Sequence, residues 1–482
     1  MTEAGAEVAA PTGSRPGSRH ARPSRWRRCF PTRLAVLIAA FTCVVVPVSL
    51  VVVHIHENPL LSPIDEAAHW DYVTRLADGG FPRLGQLMQP STLRAIECRG
   101  VALHGLVTTT CGTPVNDPRR FAGGAYQYEA QQPPGYYALT VPMRWFGMTV
   151  LGMGDLGATR LTGAVWLVLA LSILWVAGRI MGLSPPALGA GALLIATAPL
   201  TITTYSTVSN DATTLVAGAV VLLLGALALK RPGRWMTPVM LVSGAVIASF
   251  KLTDLLPVVL LSVLFLADAF VPTPVPGVDP APEGAVAALR WWWPRGGALL
   301  VGGVVGAIAW LVIERQLALL DPRDLPTFSV LRTMPVTLSL IMKESLLMMQ
   351  PLTGSYDLFR TTDQLASPSS ALSLNLQAVM ATLLSYVLVA GGLAALFVRR
   401  REWFHWMGLL CLPVLFVGGI VLGESLHLIY DIDPSVSGRY GLAVVPLLVV
   451  ALVASVRGAW AVRSLWVLGL ATYGLSFFFL LG

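Results

Sequence analysis

Charge is scarce in this sequence. Only 12% of its 482 residues are Asp, Glu, Lys or Arg, whereas soluble domains carry about 25%. Hydrophobic residues make up 55% of the chain, and its mean hydropathy is +0.68. This composition excludes a single water-soluble domain, and repeated apolar runs of about 20 residues are typical of membrane-spanning helices. Because lipid offers no partners for backbone groups, the sequence predicts an all-α polytopic membrane protein.

The common catalytic and nucleotide-binding signatures are also missing. The chain has no Walker loop, no Cys/His pattern with zinc-site spacing and no G-x-S-x-G. Its runs "GAGALL" and "GGVVGA" lie inside apolar segments, where glycines serve helix packing. The middles of the apolar segments are nearly free of ionisable residues, which argues against a conduction path.

We predict eleven transmembrane helices. They cover roughly 34–55, 157–180, 187–207, 212–230, 236–250, 254–271, 297–319, 376–398, 405–423, 440–456 and 461–481. With these spans, the basic clusters of the chain all map to one face of the membrane. The positive-inside rule then places the N-terminus inside and the C-terminus outside.

The segments between the spans differ in character. Residues 1–33 contain seven arginines among Pro, Ser and Gly, which predicts a disordered, basic cytoplasmic tail. Such a tail anchors the chain at the membrane, and we expect no nucleic-acid partner, RNA binding being the less favoured alternative. The transmembrane module covers 34–456 and the C-terminal span 457–482. Two large loops, 56–156 and 320–375, are predicted outside, and the Pro-rich segment 272–296 is predicted to be a cytoplasmic linker.

The first outside loop, 56–156, leaves one alternative open. Residues 133–151 could form a further span, which would move every later loop to the other side. Pro142, Arg144 and several aromatic residues indicate instead an amphipathic helix in the outer interface. We therefore predict that this large loop contains interfacial amphipathic helices.

Two of the five cysteines, Cys98 and Cys111, share this polar loop. They could form a disulfide if the loop lies outside the cytoplasm. Two unpaired thiols are the alternative.

A cluster of ionisable residues opens the same loop in the stretch "SPIDEAAHWDYV". A helix is predicted to begin at Asp65 and Glu66 and to end at the pair of glycines after "RLAD". Acidic residues favour a first helical turn, which is a purely structural explanation. Asp65 and His69, however, are four residues apart and share a helix face, where they could hold a metal ion or a phosphate-bound cation.

Two further polar stretches precede apolar segments. "YQYEAQQPPGYY" contains aromatic residues typical of interface anchors, and its Glu129 is a carboxylate that needs a partner. In "SND", Asn210 and Asp211 come directly before a span, where either could cap the helix.

Basic residues at the predicted outside ends of spans run against the charge bias. Lys251 could reach the lipid headgroups or contact a lipid phosphate as a point charge. Arg439, in "SGRYGLAVVP", makes a specific anionic partner plausible, and Tyr440 beside it would otherwise be an interfacial belt residue.

The order of these motifs resembles that of the type C (GT-C) superfamily of polytopic membrane glycosyltransferases. The likeness is greatest to bacterial enzymes similar to protein O-mannosyltransferases and lipid A aminoarabinose transferases, and it extends over about 34–456. It implies inverting transfer of a sugar from a polyprenyl-phosphate donor to an envelope glycan or protein acceptor. It also implies a multi-pass protein of the plasma membrane with an extracytoplasmic active site.

The resemblance also implies roles for individual residues. Asp65 corresponds to the catalytic base and Glu66 to its neighbour or a metal-side carboxylate. Lys251 and Arg439 correspond to residues that grip the lipid phosphate. The wider set of substrate-binding residues comprises His69, Glu129, Gln132, Asn210, Asp211, Lys251, Arg439 and Tyr440, and a divalent cation (Mg²⁺, Mn²⁺ or Ca²⁺) would be held by Asp65, His69 and Glu129. Relatives often have a histidine near the Pro-Pro pair, where this chain has Gln131 and Gln132.

Two alternative functions, from other classes of protein, remain. A transporter or flippase for lipids or lipid-linked glycans would need no catalytic base, but it would bury ionisable residues in the middle of the bundle. A scaffold for cell-wall assembly would use the acidic pair only as a helix cap.

Overall fold

The computed structural model describes residues 32–63, 65–101, 111–112, 121, 125–230, 233, 235–270, 284–325, 337–353, 368–398, 402–430, 438–456 and 458–481. The predicted basic tail lies outside these residues except at its last two positions, where the first helix begins.

Helices make up nearly the whole of the described fold. They are α1 (Thr32–Ala40), α2 (Val46–Glu57), α3 (Glu66–Ala77), α4 (Pro90–Arg99), α5 (Gly135–Thr149), α6 (Asp155–Ile180), α7 (Pro185–Ala196), α8 (Pro199–Ser206), α9 (Thr214–Lys230), α10 (Met236–Phe250), α11 (Leu256–Phe270), α12 (Ala285–Trp292), α13 (Ala298–Leu317), α14 (Leu338–Met348), α15 (Pro368–Ala394), α16 (Trp403–Tyr430), α17 (Val445–Ser455) and α18 (Ala459–Leu481). Two short strands, β1 (Gln86–Leu87) and β2 (Tyr126–Gln127), pair antiparallel within the first loop.

Short π-helical and 3₁₀-helical turns connect several of these elements. A π-helical turn links α1 to α2 (Phe41–Val45), and another links α12 to α13 (Trp293–Gly297). Turns of 3₁₀ helix precede α9 (Asn210–Thr213), α11 (Leu252–Leu255) and α17 (Gly438–Val444).

Nine helical segments among the described residues are long and apolar enough to cross a membrane. The run predicted at 187–207 is a bent pair, α7 and α8, with an angle of 65° between them. Pro199 causes the break, because it lacks an amide donor and forces extended backbone on Ala198 (φ −67°, ψ 130°).

The run predicted at 236–250 is α10, which is apolar but has only 15 residues. At 1.5 Å per residue it is about 22 Å long, shorter than a bilayer core of about 30 Å. The protein is therefore an all-α, multi-pass membrane protein. The count of eleven requires the bent pair and α10 to cross as well, and the N-in, C-out orientation stays a prediction.

α5 lies within residues 133–151, for which a further membrane span was the alternative prediction. It is not among the helices that meet the length and hydropathy requirements of a span. Trp145 and Phe146 are exposed on one side, whereas Tyr136 and Tyr137 are buried on the other. This asymmetry is typical of an interfacial helix, and its placement at the outer surface stays a prediction.

The predicted linker 272–296 differs from the structure at its C-terminal end. Residues 271–283 lie outside the described part of the chain, but α12 begins at Ala285 and continues through the π-helical turn into α13. The sequence "AVAALRWW" is rich in helix-favouring alanine. Trp292 fixes the turn to the bundle by donating its indole N–H to Ser262 O (2.9 Å).

α10 and α13 pack with their backbones in close contact. A Cβ atom on Gly302 would lie 1.9 Å from Leu241 O, and one on Gly244 would lie 2.1 Å from Leu299 O. The glycines therefore set the position of α10, which ends immediately before Lys251.

We expect Gly302→Ala to lower the thermal stability of the purified protein, because even a methyl group forces α10 and α13 apart. The cost of such overpacking is about 1–3 kcal/mol. Gly474→Ala in α18 is the matched control, since nothing lies within 4 Å of a Cβ there. Thermal unfolding in detergent measures both variants, and an equal loss of stability would contradict this account of the packing.

Candidate functional site

The predicted site residues come from four parts of the chain that meet at one end of the bundle. α2 ends at this end, and the segments beginning at Asn210, Leu252 and Gly438 start from it. The first loop covers the same end, where Leu319, just after α13, donates its backbone N–H to Leu84 O (2.9 Å).

Asp65 lies at the start of α3 with an unusual backbone. Its φ and ψ are 59° and 3°, in the left-handed region, which Asp tolerates better than most residues. Its carbonyl accepts the first helical hydrogen bond, from His69 N (3.0 Å). Its carboxylate accepts a hydrogen bond from Tyr128 Oη (2.9 Å) and lies 3.7 Å from Arg439 Nη2. The side chain is 32% exposed, so a substrate can reach it.

Two basic residues converge on a second carboxylate. Lys251 Nζ forms a close ion pair with Asp211 Oδ1, and Arg439 Nη1 lies 3.5 Å from Asp211 Oδ2. The Tyr440 ring centre is 5.0 Å from Lys251 Nζ and 5.3 Å from Arg439 Cζ. Arg439 thus bridges Asp65 and Asp211, and the four ionic side chains form a continuous row.

Glycines on either side of "RY" position Arg439. A Cβ atom on Gly438 would lie 2.4 Å from Thr353 O, and one on Gly441 would lie 2.8 Å from Met348 O. The carboxyl end of α14 can therefore pack directly against the turn that carries Arg439. In this way the second large loop supports the site.

His69 and Glu129 form an adjoining cluster with Asp65. His69 Nδ1 is 2.8 Å from Tyr137 Oη and 3.7 Å from Glu129 Oε2, and both residues are buried. One ligand atom from each of the three residues lies within 4.8 Å of the others. Among the described residues, Glu129 Oε2 is buried without a hydrogen-bond partner.

Burial determines the protonation of Glu129 and His69. It raises the pKa of Glu129 to about 8, with help from Asp65 and against the opposing effect of Lys251 and Arg439. It lowers the pKa of His69 to about 3, so the imidazole is neutral at physiological pH and has a lone pair for a ligand.

Asn210 and Gln132 connect the first loop to the start of α9. Asn210 Nδ2 donates to Gln132 Oε1 (3.0 Å), and Tyr72 Oη donates to Gln132 O (3.2 Å). The helix cap suggested for Asn210 or Asp211 is provided by Ser209 instead, whose hydroxyl accepts from Asp211 N (3.2 Å). This leaves the side chains of Asn210 and Asp211 for contacts across the site.

The Glu66 side chain pairs with Arg160 on α6. It is fully buried, and both of its oxygens accept hydrogen bonds from Arg160 (2.7 Å each). Arg160 was not among the predicted site residues, although an arginine inside the predicted span 157–180 was a signal. Tyr128 was not predicted either, and the sequence offered no signal for it beyond its place in an aromatic stretch.

Cys98 and Cys111 form a disulfide with a Cα–Cα distance of 4.5 Å. Cys98 lies in the last turn of α4, so the bond ties that helix to Cys111 in the next part of the first loop. Cys43 and Cys411 are free thiols, both buried in the bundle.

No protein-family model matches the sequence, and no curated protein matches it. Among solved structures, the fold is similar to that of an oligosaccharyltransferase from Archaeoglobus fulgidus, crystallised with a tethered acceptor peptide. The TM-score is 0.44 at 13% sequence identity, and the match covers 93% of this chain and 55% of that one. The chain therefore spans about half the length of that enzyme.

Proposed function

We propose that this protein is a membrane glycosyltransferase. It transfers a sugar from a polyprenyl-phosphate donor to an envelope glycan or protein acceptor, on the extracytoplasmic face of the plasma membrane and with inversion. The observation that carries the proposal is the position of the accessible Asp65 carboxylate, 3.7 Å from Arg439, beside a second cation, Lys251, that pairs with Asp211.

Asp65 acts as the general base. The acceptor hydroxyl attacks the anomeric carbon of the donor sugar, and its proton passes to the Asp65 carboxylate. The bond between the anomeric carbon and the phosphate oxygen breaks, and its electron pair leaves with the lipid phosphate. Attack from the face opposite the phosphate inverts the anomeric centre. A base in hydrogen-bond reach contributes about 10²–10⁴-fold to such a step.

Lys251 and Arg439 stabilise the leaving phosphate. Negative charge grows on its oxygens as the bond breaks, and fixed cations in a partly buried site stabilise that charge more strongly than water does. Before the donor binds, Asp211 keeps both cations paired. Tyr440 packs against both and limits their movement.

Neutral groups around the row of charges bind the sugar. Gln132 and Asn210 present amides at the junction of the first loop and α9. These amides suit the hydroxyl groups of a sugar. The prenyl tail of the donor stays in the bilayer, which explains why the site lies at the end of the membrane bundle.

Asp65, His69 and Glu129 fit a divalent cation. Their ligand atoms are close enough to share one ion. The buried Glu129 Oε2 has no hydrogen-bond partner among the described residues, and it would be a ligand once the cation displaces the Glu129 proton. Carboxylate ligands suit Mg²⁺, Ca²⁺ and Mn²⁺, and Mn²⁺ serves as the probe. When bound, the cation would add positive charge to the site.

We expect Mn²⁺ to raise the unfolding temperature of the wild-type protein and to leave that of Glu129→Gln unchanged. Binding to the folded state alone stabilises it by about 2.7 kcal/mol when the ion is at 100 times its dissociation constant. Asp78→Asn is the control, because Asp78 is an exposed carboxylate at the other end of α3. The same Mn²⁺-induced shift in Glu129→Gln would remove this residue from the cation site.

The experiment for the proposed function uses the purified protein in liposomes with labelled polyprenyl-phosphoryl sugars. We expect release of unlabelled polyprenyl phosphate together with a labelled acceptor glycan. Movement of intact donor across the bilayer without release would favour a transporter instead. Mass spectrometry of envelope glycans from a strain lacking the protein identifies the sugar to be used.

A further inference from the structure

We propose that Glu66 and Arg160 are positioning residues that set the spacing between Asp65 and Asp211. We call this buried pair the Glu66–Arg160 clamp. Its effect on catalysis rests on the proposed function, but its effect on the structure does not.

Arg160 uses all three guanidinium nitrogens. Nε and Nη2 donate to the two oxygens of Glu66 (2.7 Å each). Nη1 donates to Asn58 O and Nη2 to Leu60 O (2.6 Å each). The planar guanidinium imposes a fixed geometry on these four acceptors. Arg160 therefore holds the chain between α2 and α3 against α6.

Glu66 extends this network to the turn before α9. Besides Arg160, its oxygens accept from Ser62 N (2.6 Å) and Val208 N (2.9 Å). Ser62 belongs to the first loop, whereas Val208 lies 142 residues after Glu66. One buried carboxylate thus joins two segments that are far apart in sequence.

The two joined segments carry the two carboxylates of the site. Asp65 directly precedes Glu66, and Asp211 comes three residues after Val208. Arg439 must reach both carboxylates, at 3.7 Å and 3.5 Å. A change in the distance between the segments would therefore break one of these contacts.

The clamp also fixes the backbone conformation of Asp65. Its left-handed conformation (φ 59°) is uncommon for a residue other than glycine and persists only where the surroundings enforce it. The clamp holds the chain on both sides, through Ser62 N before Asp65 and the Glu66 side chain after it. We infer that the clamp directs the Asp65 carboxylate toward Tyr128 and Arg439.

Hydrogen–deuterium exchange tests the structural part of this inference without any substrate. In Glu66→Gln and in Arg160→Met, we expect at least tenfold faster amide exchange in two peptides, one covering 58–69 and one covering 205–212. If Glu66 served only its own helix terminus, the second peptide would exchange as in the wild type. That result would overturn the clamp.

Asp71→Asn is the matched control for this experiment. Asp71 is another buried carboxylate of α3, and its hydrogen-bond donors in the described structure, Gln89 N, Thr92 Oγ1, Gln127 Nε2 and Arg75 Nη2, all belong to the first loop. We expect faster exchange in first-loop peptides of this variant and no change in 205–212. If Glu66→Gln does not fold, Glu66→Asp keeps the charge and shortens the side chain, and the same two peptides report on it.

Sugar transfer tests the catalytic part. We expect each single clamp variant to lower kcat about 100-fold while KM for the donor changes less than threefold, because Lys251 and Arg439 remain. The double variant Glu66→Gln/Arg160→Met should be no worse than either single variant, since the pair acts as a unit. Multiplied losses in the double variant would overturn the positioning role. Absence of transfer in the wild type would instead refute the proposed function and leave the exchange result standing.

Discussion

Asp65→Asn is expected to lower the rate of sugar transfer about 10²–10⁴-fold, the contribution of a positioned base, while the protein stays folded and still binds donor lipid. Asparagine has the shape of aspartate, so the neighbouring Tyr128 hydroxyl keeps an oxygen as its acceptor. The amide, however, cannot take a proton from the acceptor hydroxyl. The donor phosphate is held by cations from other helices, so its affinity should change little.

The measurements are initial transfer rates in liposomes and equilibrium binding of a labelled polyprenyl phosphate. Asp78→Asn, at the other end of α3, is the control and should transfer sugar at the wild-type rate. Asp78 is exposed, and among the described residues its carboxylate accepts a hydrogen bond only from Gln89 Nε2. A transfer rate within tenfold of the wild type in Asp65→Asn would exclude Asp65 as the base. Loss of donor binding along with transfer would mean that the carboxylate organises the phosphate site instead.

The positions of the apolar helices could be predicted from the sequence because hydrophobic runs depend on local composition alone. The helix beginning at Glu66 was also predictable from local sequence, because a pair of glycines marks its end. The structure ends this helix at Ala77, and Gly79 follows with a φ of 78°. The bend at Pro199 and the extension of α13 back to α12 were missed. A short proline break and a helix-favouring stretch beyond an apolar run leave the hydrophobic pattern almost unchanged.

The site could be predicted only as a set of residues at one end of the bundle. Topology places Asp65, Lys251 and Arg439 on the same side, but it does not fix their separation. That separation depends on close backbone contacts, such as Gly438 against Thr353 O, which no local pattern reveals. Glu66 was predicted beside Asp65 because the two are adjacent in sequence, yet its side chain bonds to Arg160 on α6. Sequence adjacency at a helix terminus therefore says little about which neighbours two consecutive side chains share.

Removal of either cation should weaken donor binding more than any other substitution considered for the phosphate site. We expect Arg439→Gln to lower the affinity for polyprenyl phosphate about 100-fold, and Lys251→Met to do the same. Each change removes a charge-assisted contact to the phosphate. It also leaves the buried negative charge of Asp211 with one cationic partner instead of two. Breaking a buried ion pair costs about 3–5 kcal/mol.

Lys251→Met/Asp211→Asn separates these two effects. The double variant removes both members of the ion pair, so the protein should regain thermal stability relative to Lys251→Met. Donor affinity should stay low, because the cation that binds the phosphate is still missing. Arg463→Gln is the control for loss of an arginine, since Arg463 is exposed and stacks on Trp460 at 5.3 Å. If the double variant binds donor as tightly as the wild type, Lys251 serves only to neutralise Asp211, and the phosphate must bind elsewhere.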